Sequence, residues 1–330
     1  MSGKGAFLAA RGWAGAEAAA LAGDASRRSY ERLVREDGAR AVLMIAPPAS
    51  GEDTAPFVAV AGHLERCGLG APKIYGADRE AGFLLLEDFG DALFARVAEA
   101  TPALEPEMYR AAADVLIRLH DHPLPEDVPA YDSAALIEAA LLAVTWYAGE
   151  GAEGGGLAAR LADAIAALDG VTRVLALRDY HAENLIWLPD RPDILRVGLL
   201  DFQDAMAGHA AYDLVSLLQD ARRDVDPEVS EATFRHFLDR SRHGAEAFGL
   251  AYATLGAQRN LRILGVFARL CLRDEKPQYL RLIPRVWGHL EAALSHPKLS
   301  ALRAEVMRVL PAPDATHLGS LEARCGQMRP

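Results

Sequence analysis

The chain has 330 residues, a formal net charge of −11 and 51% hydrophobic residues, enough to bury about 75% of its unfolded surface in one large domain or two intimate lobes. The acidic balance argues against a nucleic-acid partner through long-range repulsion, and no apolar run of about 18 residues is present to span a membrane as a helix. Cys67, Cys271 and Cys325 lie far apart without metal spacing, and the N-terminal stretch carries Arg11 and Glu17 instead of a continuous apolar core, so a reducing cytoplasm is the expected location.

Taken in chain order, residues 29–35 predict a strand, Asp37-Gly38 a hairpin turn and residues 41–46 the returning strand. Phe57, Val60, Ala61 and Leu64 recur at helical spacing, and residues 83–86 form a short apolar run that reads as a buried strand. After Gly90 the pattern turns helical. Met108, Ala112, Val115, Leu116 and Leu119 form one stripe, with Glu105 and Glu107 placed favourably in the first turn. Residues 134–147 and 157–168 predict two more helices on either side of a Gly-rich connector at 150–156. Four helical stretches follow at 212–222, 231–242, 246–273 and 284–294, then one short helix in the tail.

Between these helices lies the stretch that carries chemistry. Asp179 is followed by four residues, Asn184, two short strands and Asp201. Residues 185–188 predict one strand, the Pro/Asp-rich 189–193 a turn, and 194–200 the returning strand, so an antiparallel hairpin sets Asn184 and Asp201 side by side. Two oxygen ligands converging there suit a magnesium ion that takes its other ligands from water and phosphate. Asp179 would accept the proton of an attacking hydroxyl. The trio is what ATP-dependent phosphoryl transfer requires. No His-x-x-x-His helix accompanies His120, His122, His181 or His209, so zinc is not expected, and His181 is assigned to local packing.

These residues resemble the aminoglycoside phosphotransferase and choline-kinase-like family, which is similar in fold to protein kinases. Leu177-Arg178-Asp179 stands where that family writes His-Gly-Asp; Leu199-Leu200-Asp201-Phe202 matches its metal strand, and Gly208 with Tyr212-Asp213-Leu214 its later motif, in which the Asp is structural, a role carried to Asp213. The Phe-Gln-Asp-Ala run at 202–205 and the stretch from Gln258 to Leu270 are similar to a bacterial subgroup that phosphorylates the anomeric hydroxyl of N-acetylmuramate and N-acetylglucosamine in peptidoglycan recycling. The resemblance implies an α+β, two-lobed protein-kinase-like fold. It comprises a small antiparallel-sheet lobe with one helix over residues 1–86, a hinge at 87–91 and a larger, mainly helical lobe over 92–330.

On the nucleotide side, Gly23, Asp24 and Ser26 would form the loop over the phosphates through backbone donors. The family's phosphate-contacting lysine is missing: Met44 occupies its place, and Arg28 or Arg32 would substitute as the cation. Glu87 and Phe89 would lie at the hinge against adenine. Tyr180, Asp204, Arg222 and Arg259 are the acceptor-side candidates, with Arg259 and Arg262 one helical turn apart and suited to the lactyl carboxylate of N-acetylmuramate. ATP as co-substrate, magnesium as cofactor and a small sugar as partner follow. Three rivals stand beside this reading. An aminoglycoside kinase would want a run of carboxylates near the C-terminus, and a protein kinase a longer segment between Asp201 and Tyr212. A non-catalytic nucleotide-binding module would need none of Asp179, Asn184 and Asp201.

Overall fold

A computed structural model describes residues 3–21, 28–149, 151–168 and 170–328. In chain order the elements are α1 (Gly3–Ala9), β1 (Glu17–Leu21), β2 (Ser29–Val34), β3 (Arg40–Ile45), α2 (Ala55–Arg66), β4 (Ile74–Asp78), β5 (Phe83–Glu87), α3 (Phe94–Ala100) and α4 (Glu105–His120). Then come α5 (Ser133–Leu142), α6 (Gly155–Ala166), β6 (Val174–Ala176), β7 (Leu185–Trp187), β8 (Val197–Leu199) and β9 (Met206–Gly208). The chain closes with α7 (Ala211–Leu218), α8 (Pro227–Arg240), α9 (Ala245–Leu272), α10 (Ile283–Leu294), α11 (Ser300–Val309) and α12 (Ala315–Ala323). Two compact units result, one of Met1–Pro125 with Ala182–Ala205, the other of Glu126–His181 with Met206–Pro330. This division places α3, α4 and the β7–β8 hairpin with the sheet.

The first unit is built on an antiparallel sheet of order β1-β2-β3-β5-β4. The Asp37-Gly38 turn forms as the residue types dictate. Gly38 takes a left-handed φ of 81°, and the Asp37 carboxylate accepts the Ala39 N–H at 3.0 Å. Leu33, Ala41, Leu43 and Leu85 pack with Phe7, Leu8 and Trp13 into one apolar cluster. The apolar stripes of α2 and α4 are buried as their spacing requires. β1 escapes prediction because Glu-Ala-Ala-Ala-Leu is helix-prone sequence. Pairing along its whole length with β2, from Glu17 opposite Val34 to Leu21 opposite Tyr30, overrides the propensity.

The hairpin carries a correction. The predicted strand 194–200 is a strand only from Val197 to Leu199; Asp193–Arg196 is a 3-10 turn. Pro192 and a left-handed Asp193 (φ 47°) tighten the chain there, and the Arg196 guanidinium lies 5.2 Å over the Trp187 ring. Gly70 bridges Gly198, and a Cβ on Gly70 would fall 2.3 Å from the Val197 carbonyl oxygen, so only glycine permits this backbone approach.

The second unit is organised around α9, whose buried face collects residues from α5, α6, α10, α11 and α12. At Gly265 a Cβ would lie 2.2 Å from the Leu142 carbonyl carbon, so α9 meets the end of α5 backbone to backbone. There α5 passes into a π-turn over Ala143–Tyr147. Two expectations fail here. α7 stops at Leu218 instead of 222, because Gln219 leaves the helical region (φ −114°, ψ 55°) and its side chain accepts from Asn260 Nδ2 at 2.8 Å. The tail holds two helices, since Asp314 caps α12 by accepting the His317 N–H at 2.8 Å. Among the described residues no helix is long and apolar enough to cross a membrane.

Candidate active site

Asp179 is presented by a strained turn of the second unit. β6 pairs with β9 and ends at Ala176. Arg178 then takes φ 73°, a left-handed conformation that costs a side-chain-bearing residue about 1–3 kcal/mol unless its surroundings hold it. Asp213, 1% exposed, supplies that hold. Its Oδ2 accepts the Leu177 N–H at 2.6 Å and its Oδ1 the Arg178 N–H at 2.8 Å. Burial pushes the Asp213 carboxyl up to about 6, against the pull of those two N–H bonds. Ser216 Oγ donates to the Arg178 carbonyl at 3.3 Å, and the Arg178 guanidinium lies 5.0 Å over the Tyr131 ring.

The electrostatics of Asp179 follow from its neighbours. Burial raises its proton affinity, but the guanidiniums of Arg262 and Arg259, with His181 and Arg178, outweigh it and hold the carboxyl below its ordinary range. Asp179 is therefore a carboxylate at neutral pH. It lines a cavity of about 90 Å³ together with His181, Asp220, Arg222, Arg259 and Arg262. His181 is 5% exposed and pushed down to about 4, chiefly by burial. A neutral ring lets its Nε2 accept from Arg222 Nη1 at 3.3 Å.

Among the expected acceptor-side residues, Arg222 and Arg259 thus join Asp179 on one wall. Tyr180, 2% exposed, is buried outside that lining, and Asp204 belongs to the other unit. His181 and Asp220 were missed as site residues. His181 sits inside the catalytic motif, but nothing in the spacing of Asp220 marks it, because α7 ends just before it and turns it inward.

The first unit begins again at Ala182 and holds the expected metal ligands. Leu185 pairs with Leu199, and the Leu200 N–H donates to the Asn184 carbonyl at 3.0 Å, which sets Asn184 beside Asp201. Asp201 is exposed, with φ 53°, and its Oδ1 accepts from Gln203 Nε2 at 2.7 Å; the same nitrogen lies 3.4 Å from Asp204 Oδ2. Gln203 Oε1 is buried without a hydrogen-bond partner. Among the described residues no group of three or more His, Cys, Asp or Glu is placed to hold a metal. An amide and a carboxylate oxygen at a hairpin end, beside an orphaned amide oxygen, fit a hard cation that brings phosphate oxygens and water with it.

The nucleotide-side residues divide as follows. Gly23, Asp24 and Ser26 lie outside the described residues. Met44 is buried in the sheet opposite Tyr30. Arg32 is bound by Asp88 at 2.7 Å and Asp91 at 2.8 Å. Arg28 pairs with Glu52 at 2.7 Å; burial works against its charge, and that bond, aided by Tyr30 and Asp204, more than restores it. Burial and then the Asp201 carboxylate push the Tyr30 phenol up, so Arg28, Tyr30 and Asp201 share one electrostatic neighbourhood. Glu87 accepts from Arg191 Nη2 at 2.6 Å, and the Arg191 guanidinium lies 4.8 Å over the Phe89 ring.

Residues 17–248 match the family model described as APH, phosphotransferase enzyme family. A relative from Caulobacter vibrioides named N-acetylmuramate/N-acetylglucosamine kinase is 39% identical over 93% of this chain and 96% of its own. A Pseudomonas aeruginosa relative of the same name is 35% identical over 92% of this chain and 93% of its own. Among solved structures, a choline/ethanolamine kinase family protein from Mesorhizobium loti aligns with a TM-score of 0.61 at 15% identity, over 94% of each chain. The ADP-bound aminoglycoside phosphotransferase APH(2'')-Ib aligns at 0.56 and 15% identity, over 84% of this chain and 93% of its own. These structural likenesses establish the protein-kinase-like, α+β fold.

Proposed function

This chain belongs to the phosphotransferase enzyme family, and from that premise we propose that it is an ATP- and magnesium-dependent sugar kinase acting on the anomeric hydroxyl of N-acetylmuramate and N-acetylglucosamine. In the reaction the acceptor oxygen bonds to the γ-phosphorus of ATP, the bond from that phosphorus to the β-bridging oxygen breaks, ADP leaves, and the acceptor proton passes to Asp179. Asp179 orients the hydroxyl as a carboxylate acceptor. Asn184 and Asp201 would hold magnesium, which supplies charge neutralisation at the phosphates when bound. Gln203 steadies the Asp201 carboxylate, and Asp213 with Ser216 fixes the turn from which Asp179 projects. Gly23, Asp24, Ser26, Arg28, Glu87 and Phe89 are assigned to the nucleotide. Arg222 and Arg259 are assigned to the acceptor, with Tyr180 and Asp204 in supporting places. The product would enter cell-wall recycling in the cytoplasm.

The observation that carries the reading is the cavity wall on which Asp179 stands among Arg222, Arg259 and Arg262. Such a wall repels a polycationic aminoglycoside and accepts a neutral or anionic sugar. Phosphorylation assays with ATP and magnesium over both sugars and an aminoglycoside panel test it. The expected product is a sugar carrying phosphate at its anomeric carbon, identified by phosphorus NMR; turnover confined to aminoglycosides would refute the assignment.

A further inference from the structure

The cavity beside Asp179 carries more information than the family motif does. α9 contributes Arg259, Arg262, Ile263, Val266 and Phe267 to its lining. These positions follow i, i+3, i+4, i+7 and i+8, a single helical face. That face presents guanidiniums first and an apolar patch one turn later. The opposite side is the segment after α7, with Asp220, Ala221 and Arg222.

Two groups in this lining are unsatisfied. Arg259 is 4% exposed, yet its Nε and Nη1 lack any hydrogen-bond partner, and only Nη2 is engaged, donating to Ser216 Oγ at 2.8 Å. Asp220 is 1% exposed; its Oδ1 accepts the Arg222 N–H at 2.8 Å, while Oδ2 has no partner. Buried donors and acceptors left unpaired cost about 1–3 kcal/mol each, more for charged groups, and here they line a cavity where a ligand can complete them. Three arginines against Asp179 and Asp220, with His181 neutral, leave the wall one positive charge in excess.

We propose that this cavity is the subsite for the carboxylate-bearing side arm of the acceptor, with Arg259 gripping the carboxylate and Ile263, Val266 and Phe267 receiving its methyl group. The proposal rests on the sugar-kinase reading above and deepens it. The lactyl arm of N-acetylmuramate bears a carboxylate and a methyl on one carbon, which is the order in which α9 offers its side chains. The volume of about 90 Å³ equals roughly three waters, enough for such an arm. N-acetylglucosamine has a hydroxyl there instead, for which Asp220 Oδ2 is the waiting acceptor. Arg259 also reaches the catalytic turn, since the Ser216 hydroxyl it binds donates to the Arg178 carbonyl. Ser216 is thus a positioning residue that helps place Asp179 whichever sugar is bound.

Steady-state kinetics with both sugars test this in the wild type, Arg259→Gln, Arg222→Gln and Ser216→Ala. Arg259→Gln is expected to lower kcat/KM for N-acetylmuramate about 10- to 100-fold more than for N-acetylglucosamine, mainly through KM, the value of a charge-assisted bond to a carboxylate. Arg222→Gln, at the half-exposed side of the cavity and safe for folding, is expected to shift the same ratio in the same direction by several-fold. Ser216→Ala is expected to lower kcat on both sugars alike and leave the ratio unchanged. Equal losses on both sugars from Arg259→Gln, or an unmoved ratio in Arg222→Gln should the first variant not fold, would overturn the subsite. A wild-type chain inactive on both sugars would instead bring down the acceptor assignment on which the subsite rests.

Discussion

The hairpin end of the first unit and the cavity of the second are opposites in charge and in access to water. Asp201 and Asp204 are exposed carboxylates, with Gln203 steadying the first. Asp179 instead stands in a partly sealed wall of guanidiniums. Each arrangement is complementary to what it would bind. A cation that arrives with its phosphates and keeps several waters needs open ligands. A sugar that must be held in register needs dehydrated donors fixed before it arrives. The same residue type, aspartate, would serve both because its neighbours differ.

Asp179→Asn breaks this contrast most severely. Turnover is expected to fall about 10²- to 10⁴-fold with the thermal midpoint retained, and a normal rate would remove Asp179 from the chemistry. Asp201→Ala should cost several kcal/mol of transition-state stabilisation, roughly 10³-fold in rate. A magnesium titration that leaves the variant as active as wild type would show that the hairpin is not the metal site. Gly265→Ala tests the scaffold behind the arginine wall. Its added methyl collides with the Leu142 backbone, so denaturant melts should show a loss of about 1–3 kcal/mol. The smallest effect concerns His181, whose ordinary value of 6.5 falls to about 4 in the fold. The native state then binds fewer protons than the unfolded chain between these values, so this contribution is whole above pH 6.5 and drains away as pH falls towards 4. His181→Gln should flatten the acid side of the stability profile by roughly 1 kcal/mol per pH unit in that window.

Much of this contrast was legible in the sequence. The hairpin end was, because an apolar run, a Pro/Asp turn and a second apolar run bring Asn184 to Asp201 whatever the rest of the chain does. The Asp37-Gly38 hairpin and the stripes of α2 and α4 were legible for the same local reason. The cavity was not. Asp220, Ser216 and Arg259 come together only when the end of α7 turns against α9, a contact between positions about 40 residues apart that no periodicity records. β1 was hidden by alanines that favour helix, and the short strands β6 and β9 by their three-residue length. The cation replacing the absent lysine was left between Arg28 and Arg32. Side-chain pairing does not choose between them, since Arg32 is engaged by Asp88 and Asp91 and Arg28 by Glu52.

The Asp213 clamp carries a consequence for the acid tolerance of turnover. Its carboxyl gains a proton near pH 6, well before Asp179, which its arginines keep ionised. A protonated carboxyl has one fewer free acceptor, and either Leu177 or Arg178 then loses the bond that keeps the left-handed backbone in place. The acidic limit of the rate would then be set by a side chain that never meets the sugar or the nucleotide, through slackening of the loop and not through neutralisation of the base.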